Sequence, residues 1–149
     1  MIFVCVVLQT SKHITFFCVQ PSLRTAIIID DEKDCRDSLA QTLELSNITV
    51  VGLGADGEEA FQLYEKHEPD VVILDLNMPN YDGNYAIEKI KEKYPTSRIV
   101  IVTAYVDSTF DRDKVEGVIC KPYDVQALIG LIQKICSPLN PDLKMWYVG

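Results

Sequence analysis

Four short apolar runs each end on a polar side chain that a buried core does not hold without partners. Residues 26–29 run into Asp30 and Asp31, residues 71–74 into Asp75, residues 99–102 into Thr103, and residues 117–120 into Lys121. Runs of this length, separated by stretches with helical spacing, read as buried strands of a parallel sheet. Parallel strands deliver all their carboxyl ends to one edge, where open α/β sheets bind ligands. The four endings therefore converge. Three carboxylates, one hydroxyl and one lysine at a common edge suit a divalent cation and a phosphoryl group.

The stretches between the runs carry helical periodicity. Leu39 and Leu43 follow Asp34, read as a cap. Ala60, Leu63, Tyr64 and His67 form a stripe stopped by Glu68-Pro69-Asp70, and Ile87, Ile90 and Tyr94 form one stopped by Pro95. Val125, Leu128, Ile129, Ile132, Ile135 and Cys136 make the longest stripe. A short helix over residues 108–115, capped by Asp107, is expected before the last run. Strand and helix thus alternate five times. With right-handed crossovers this gives an α/β fold, a single doubly wound five-stranded parallel sheet with helices on both faces.

The chain's 149 residues allow one core, and its net charge of −8 argues against direct DNA binding, which needs clustered Lys and Arg. Cys5, Cys18, Cys35, Cys120 and Cys136 are scattered, with no C-x-x-C pair, which speaks against zinc or a disulfide framework and for a cytoplasmic location. Cys120 is expected to be buried filler. Residues 1–24 read as an apolar N-terminal extension whose two runs fall short of a membrane span. An extra strand, a disordered extension and a start-site artefact are the three readings, with the last two preferred. Residues 138–149, with the only Trp, Trp146, read as a plain tail.

The Asp30-Asp31 pair, Asp75 with Asn77-Met78-Pro79, Asp82-Gly83, Thr103-Ala104 and Lys121-Pro122, in this order, resemble the receiver (CheY-like) domain of two-component response regulators over residues 25–137. The resemblance implies a flavodoxin-like sheet of strand order 2-1-3-4-5. It implies that Asp75 is the phosphoacceptor, and that Mg2+ is held by Asp30, Asp31, Asp75 and the Asn77 carbonyl. Thr103, the Ala104 amide and Lys121 would contact the phosphoryl group, and the Lys121–Pro122 bond would be cis. The donor would be a sensor histidine kinase or a phosphotransfer protein, and an unidentified downstream protein would read the phosphorylated state. Asp82-Gly83 reads as a structural turn, and His13 and His67 lack ligand-spaced companions.

Some positions depart from the pattern. Val118 stands where family members usually carry a Tyr or Phe, and the segment between Thr103 and Lys121 is about one helical turn short, which puts the usual dimer surface in question. Tyr105 lies beside the path of a hydrolytic water in the family, where its ring would slow phosphoryl loss. The reading that follows is a stand-alone, phosphorylation-controlled switch and not a turnover enzyme. Two alternatives stay open. One is a haloacid-dehalogenase-like Mg2+-dependent phosphatase, although Asp30-Asp31-Glu32 is not its Asp-x-Asp motif and no insertion is large enough for a cap. The other is a pseudo-receiver interaction module that is never phosphorylated.

Overall fold

The computed structural model describes residues 4–10, 13–19, 24–106 and 110–137. In chain order the elements are β1 (Val4–Thr10), β2 (His13–Val19), β3 (Arg24–Ile29), α1 (Lys33–Leu45), β4 (Ile48–Gly54), α2 (Gly57–His67), β5 (Val71–Leu74), α3 (Gly83–Lys93), β6 (Ile99–Thr103), a 3-10 turn (Arg112–Lys114), β7 (Gly117–Cys120) and α4 (Val125–Ile135). Strands β3 to β7 form one parallel sheet in the order β4-β3-β5-β6-β7, which is 2-1-3-4-5 counted within that sheet.

Strand alternation sorts the core into two layers. Ile27 and Ile29 of β3, Val72 and Leu74 of β5, and Ile99 and Ile101 of β6 face α2 and α3, meeting Ala60, Tyr64, Ala86, Ile87 and Ile90. Ala26, Ile28, Val71, Ile73, Val100 and Val102 face the other way, toward Leu39 and Leu43 of α1 and Leu128, Ile129, Leu131 and Ile132 of α4. Fully burying a side chain of the Ile or Leu class contributes roughly 1.5–3 kcal/mol. The central strands can therefore hold charged residues at their ends without losing their place in the sheet.

Four details depart from the sequence expectations. The cap of α1 is Glu32, with no side-chain cap bond, and Asp34 sits inside the first turn. No α-helix fills residues 110–116: a 3-10 turn capped by Asp111 stands there, and the expected Asp107 cap lies outside the described residues. The segment is too short for a helix, and buried Phe110 and Val115 fasten it to the sheet instead. Cys120 is exposed rather than buried, because it ends β7, which pairs only with β6 at the sheet edge. Finally, of the three readings of residues 1–24, the less preferred one, added strand structure, matches residues 4–10 and 13–19, which pair as an antiparallel hairpin, consistent with their many Val and Phe residues. The tail 138–149 lies outside the described residues.

Candidate functional site

Asp30, Asp75 and Lys121 are each the first residue past their strand, and each is tied to a neighbouring strand by one more ladder-like bond, whereas Asp31 lies one residue further on. The Asp30 amide donates to the Gly54 carbonyl (3.1 Å), the Asp75 amide to the Ile29 carbonyl (2.8 Å) and the Lys121 amide to the Thr103 carbonyl (2.8 Å). The sheet register thereby sets where these side chains start. Asp30 and Asp75 are buried, Thr103 is fully buried, and Asp31 is exposed.

Carboxylate oxygens of Asp30, Asp31 and Asp75 all lie within 4.8 Å of one another. The Lys121 Nζ donates to Asp30 Oδ2 (2.6 Å) and to Asp75 Oδ2 (3.0 Å), bridging the two buried carboxylates. Their other oxygens are used locally: Asp30 Oδ1 accepts from the Glu32 amide (2.9 Å) and Asp75 Oδ1 from the Asn77 amide (3.0 Å). Burial works against the Lys121 charge, but the hydrogen bonds and charges of Asp30 and Asp75 outweigh it and hold the ammonium above the ordinary lysine range. One lysine against three carboxylates leaves the cluster anionic. All three are hard oxygen donors with no His or Cys among them, so the donor set fits Mg2+ or Ca2+ rather than a soft metal.

The loop after Asp75 alternates inward and outward. Leu76 and Met78 are buried and pin it, while Asn77 points out. Its side-chain Nδ2 donates to Thr103 Oγ1 (2.8 Å) and to the Tyr105 carbonyl (3.1 Å), and the Thr103 hydroxyl donates to that same carbonyl (3.2 Å). Ala104 and the Tyr105 side chain are exposed beside this link. The Lys121–Pro122 bond is cis, as the resemblance implies. A cleft of about 370 Å3 opens from Asp30, Asp75 and Lys121 toward Asp34, Cys35 and Ser38 of α1 and toward Tyr123, with Ile28, Ile73 and Val102 in its lining.

The family model described as "Response regulator receiver domain" matches residues 26–133. The chain belongs to this family. It is 30% identical over 116 residues to transcriptional regulatory protein DegU of Brevibacillus brevis, covering 74% of this chain and 49% of DegU. It is 28% identical over 113 residues to protein CcdB of Bacillus subtilis, covering 73% of this chain and 94% of CcdB. Among solved structures it resembles a chain of the CheX–CheY–BeF3–Mg2+ complex from Borrelia burgdorferi, with a TM-score of 0.69, 25% identity, and 75% and 88% of the two chains covered. The chain spans about half the length of DegU and of the further transcriptional and oxygen regulators it matches.

Within this receiver domain the structure brings together Asp30, Asp31, Asp75 and Lys121, and it links Asn77 to Thr103. Sequence spacing does not reveal three contributors. A Cβ on Gly83 would lie 2.5 Å from the Asp75 carbonyl oxygen and 2.7 Å from Leu76 Cα, so this glycine lets α3 pack against the Asp75 loop. Asp82, read only as a turn residue, also caps α3, its Oδ1 accepting from the Tyr85 amide (2.9 Å). Arg36 of α1 donates through Nη1 to the Asp30 carbonyl. The Asp82-Gly83 pair before an apolar periodic stretch is a cap signal in hindsight, whereas nothing in the sequence pairs Arg36 with Asp30.

Proposed function

We propose that this receiver domain takes a phosphoryl group onto Asp75 in the presence of Mg2+ and signals through the state of that residue. The observation that carries the reading is the cluster itself: three carboxylates with oxygens within 4.8 Å, bridged on one side by Lys121. Asp30, Asp31, Asp75 and the Asn77 carbonyl would hold the ion, and the BeF3–Mg2+ complex of the Borrelia protein lends support. The ion would neutralise charge between the carboxylates and the incoming phosphoryl oxygens.

In the transfer the phosphorus–nitrogen bond of a donor phosphohistidine breaks, its electron pair stays on the imidazole, and an Asp75 carboxylate oxygen forms the new bond to phosphorus. The Lys121 ammonium moves from the Asp75 carboxylate to a phosphoryl oxygen. The Thr103 hydroxyl turns its proton from the Tyr105 carbonyl to a second oxygen, and the Ala104 amide faces the same group. Donor and reader are other proteins, a sensor histidine kinase or phosphotransfer protein on one side and a downstream partner on the other. The domain promotes only its own phosphorylation and dephosphorylation. The net charge of −8 disfavours direct contact with DNA by this module. Among the described residues no helix is long and apolar enough to cross a membrane.

Incubation with acetyl phosphate and Mg2+, read by intact mass, tests this reading. Wild type is expected to gain one labile phosphoryl group and Asp75→Ala none. An adduct on both, or steady turnover of varied phosphate esters by wild type, refutes it.

A further inference from the structure

We infer that Arg36 is a positioning residue of the cation site, acting through the main chain of Asp30 rather than by touching the ion. The inference rests on the reading of Asp30, Asp31 and Asp75 as that site.

Asp30 is the most heavily constrained residue of the cluster. Its amide extends the ladder to Gly54 (3.1 Å), its Oδ1 accepts from the Glu32 amide (2.9 Å), and its Oδ2 accepts from Lys121 (2.6 Å). Its carbonyl lies past the last ladder position of β3 and accepts from Arg36 Nη1. Arg36 stands on α1, beyond the loop that carries Asp31, so its guanidinium spans from the helix back to the strand end. It thereby closes the turn 30–36 and fixes the direction in which Asp31 leaves the backbone. Asp31 is the exposed carboxylate of the three, with no hydrogen bond shown to hold it. Its place within 4.8 Å of the other two depends on the path of this turn.

The chemistry of the side chain suits the task. A guanidinium stays charged throughout the working pH range and is planar, so it holds a carbonyl in a set direction. It does this without occupying a carboxylate oxygen that a cation would need. The Arg36 Nε is buried and has no hydrogen-bond partner among the described residues. A buried polar atom left unpaired is tolerated where the rest of the group is needed in place.

Mg2+ titrations by calorimetry on wild type, Arg36→Met and Arg36→Lys test the inference, with thermal unfolding of each protein without Mg2+ alongside. Outer partners of ligand residues are typically worth about 10–100-fold in metal affinity. The Mg2+ Kd of Arg36→Met is expected to rise about tenfold, with Arg36→Lys, which keeps the charge but loses the planar guanidinium, falling between it and wild type. A residue that only stabilised the fold would lower the melting temperature and leave Kd unmoved. Arg36→Met binding Mg2+ within about twofold of wild type, far inside the range expected for such a partner, overturns the inference. If Arg36→Met lacks the circular dichroism of a folded chain, Arg36→Gln is judged by the same criterion. Wild type that binds no Mg2+ refutes the underlying site instead.

Discussion

Lys121→Met removes the one ammonium that bridges two buried carboxylates, and its cost can be worked from the geometry. With carboxylate oxygens within 4.8 Å of one another, each pair repels by roughly 3.5 kcal/mol at an effective dielectric near 20. Three pairs amount to about 10 kcal/mol of gross repulsion. Lys121, at 2.6 Å from Asp30 and 3.0 Å from Asp75, returns roughly 12 kcal/mol on the same scale. Because 4.8 Å is the outer limit of those separations, the repulsion is at least this large, and Lys121 returns an energy of the same order. Water screens part of both, since Asp31 is exposed and the Lys121 side chain is 22% exposed. The expected loss is therefore at the lower end of the roughly 3–5 kcal/mol seen when one partner of a buried pair is removed. At this chain length that is about 10 °C in melting temperature.

The same variant carries a second, opposite expectation. In wild type, a cation at Asp30 and Asp75 shares their negative charge with the Lys121 ammonium and is repelled by it. In Lys121→Met that repulsion is gone, so the Mg2+-induced rise in melting temperature should exceed that of wild type. Thermal unfolding by circular dichroism, with and without millimolar Mg2+, reads both effects. A variant that melts with wild type in the absence of Mg2+, or one whose Mg2+-induced rise is the smaller, refutes the electrostatic reasoning.

Gly83→Ala places a methyl group 2.5 Å from the Asp75 carbonyl oxygen; urea unfolding should show a loss of roughly 1–3 kcal/mol, together with slower phosphorylation by acetyl phosphate. The Tyr85 hydroxyl is pushed up to about 12, first by its hydrogen bond to Glu58 and then by burial and the Glu58 charge. Because the folded value lies above the unfolded one, its stabilisation is complete below pH 10 or so and is lost as pH rises through about 12. Tyrosinate absorbance should show a late-titrating component that Tyr85→Phe deletes and Glu58→Gln moves to lower pH. Asn77→Ala frees the Thr103 hydroxyl and the Tyr105 carbonyl from their shared partner, so amide exchange should quicken at Tyr105 and Val106 while the strand amides of β6 keep their protection.

The features legible in the sequence are those set by period and burial. Runs such as 71–74 have no polar residue until Asp75, so strand, register and site residue are read together. The stripe on α4 is equally plain, though Leu131, buried with only 8% exposed, falls outside the spacing that marks it. Features decided by tertiary contact are not legible. Asp34 looks like a cap, but the turn is closed instead by Asp30 Oδ1 and Arg36. Cys120 is the last residue of an apolar run, yet β7 is an edge strand and leaves it exposed. The helix expected over residues 108–115 assumes that the β6–β7 link must be helical. Phe110 and Val115 satisfy the core without one, while Lys114 pairs with Glu88 (2.6 Å) and Glu116 with Lys91 (3.5 Å) of α3.

The site thus has two kinds of support, and they should fail differently. Asp30, Asp75 and Lys121 take their positions from amide bonds that continue the sheet, so their placement is as firm as the pairing of β3 with β4, β3 with β5 and β6 with β7. Asp31, Asn77 and the Thr103–Tyr105 turn depend on single side-chain bonds from Arg36 and Asn77 across loops. Substitutions within the strands should therefore lower stability before they alter the cluster. Substitutions at the loop contacts should change cation binding or the freedom of Thr103 in a domain that remains folded. That separation follows from placing reactive groups one residue beyond a buried parallel sheet, where the backbone is still held by the ladder and the side chains meet at the mouth of a cleft.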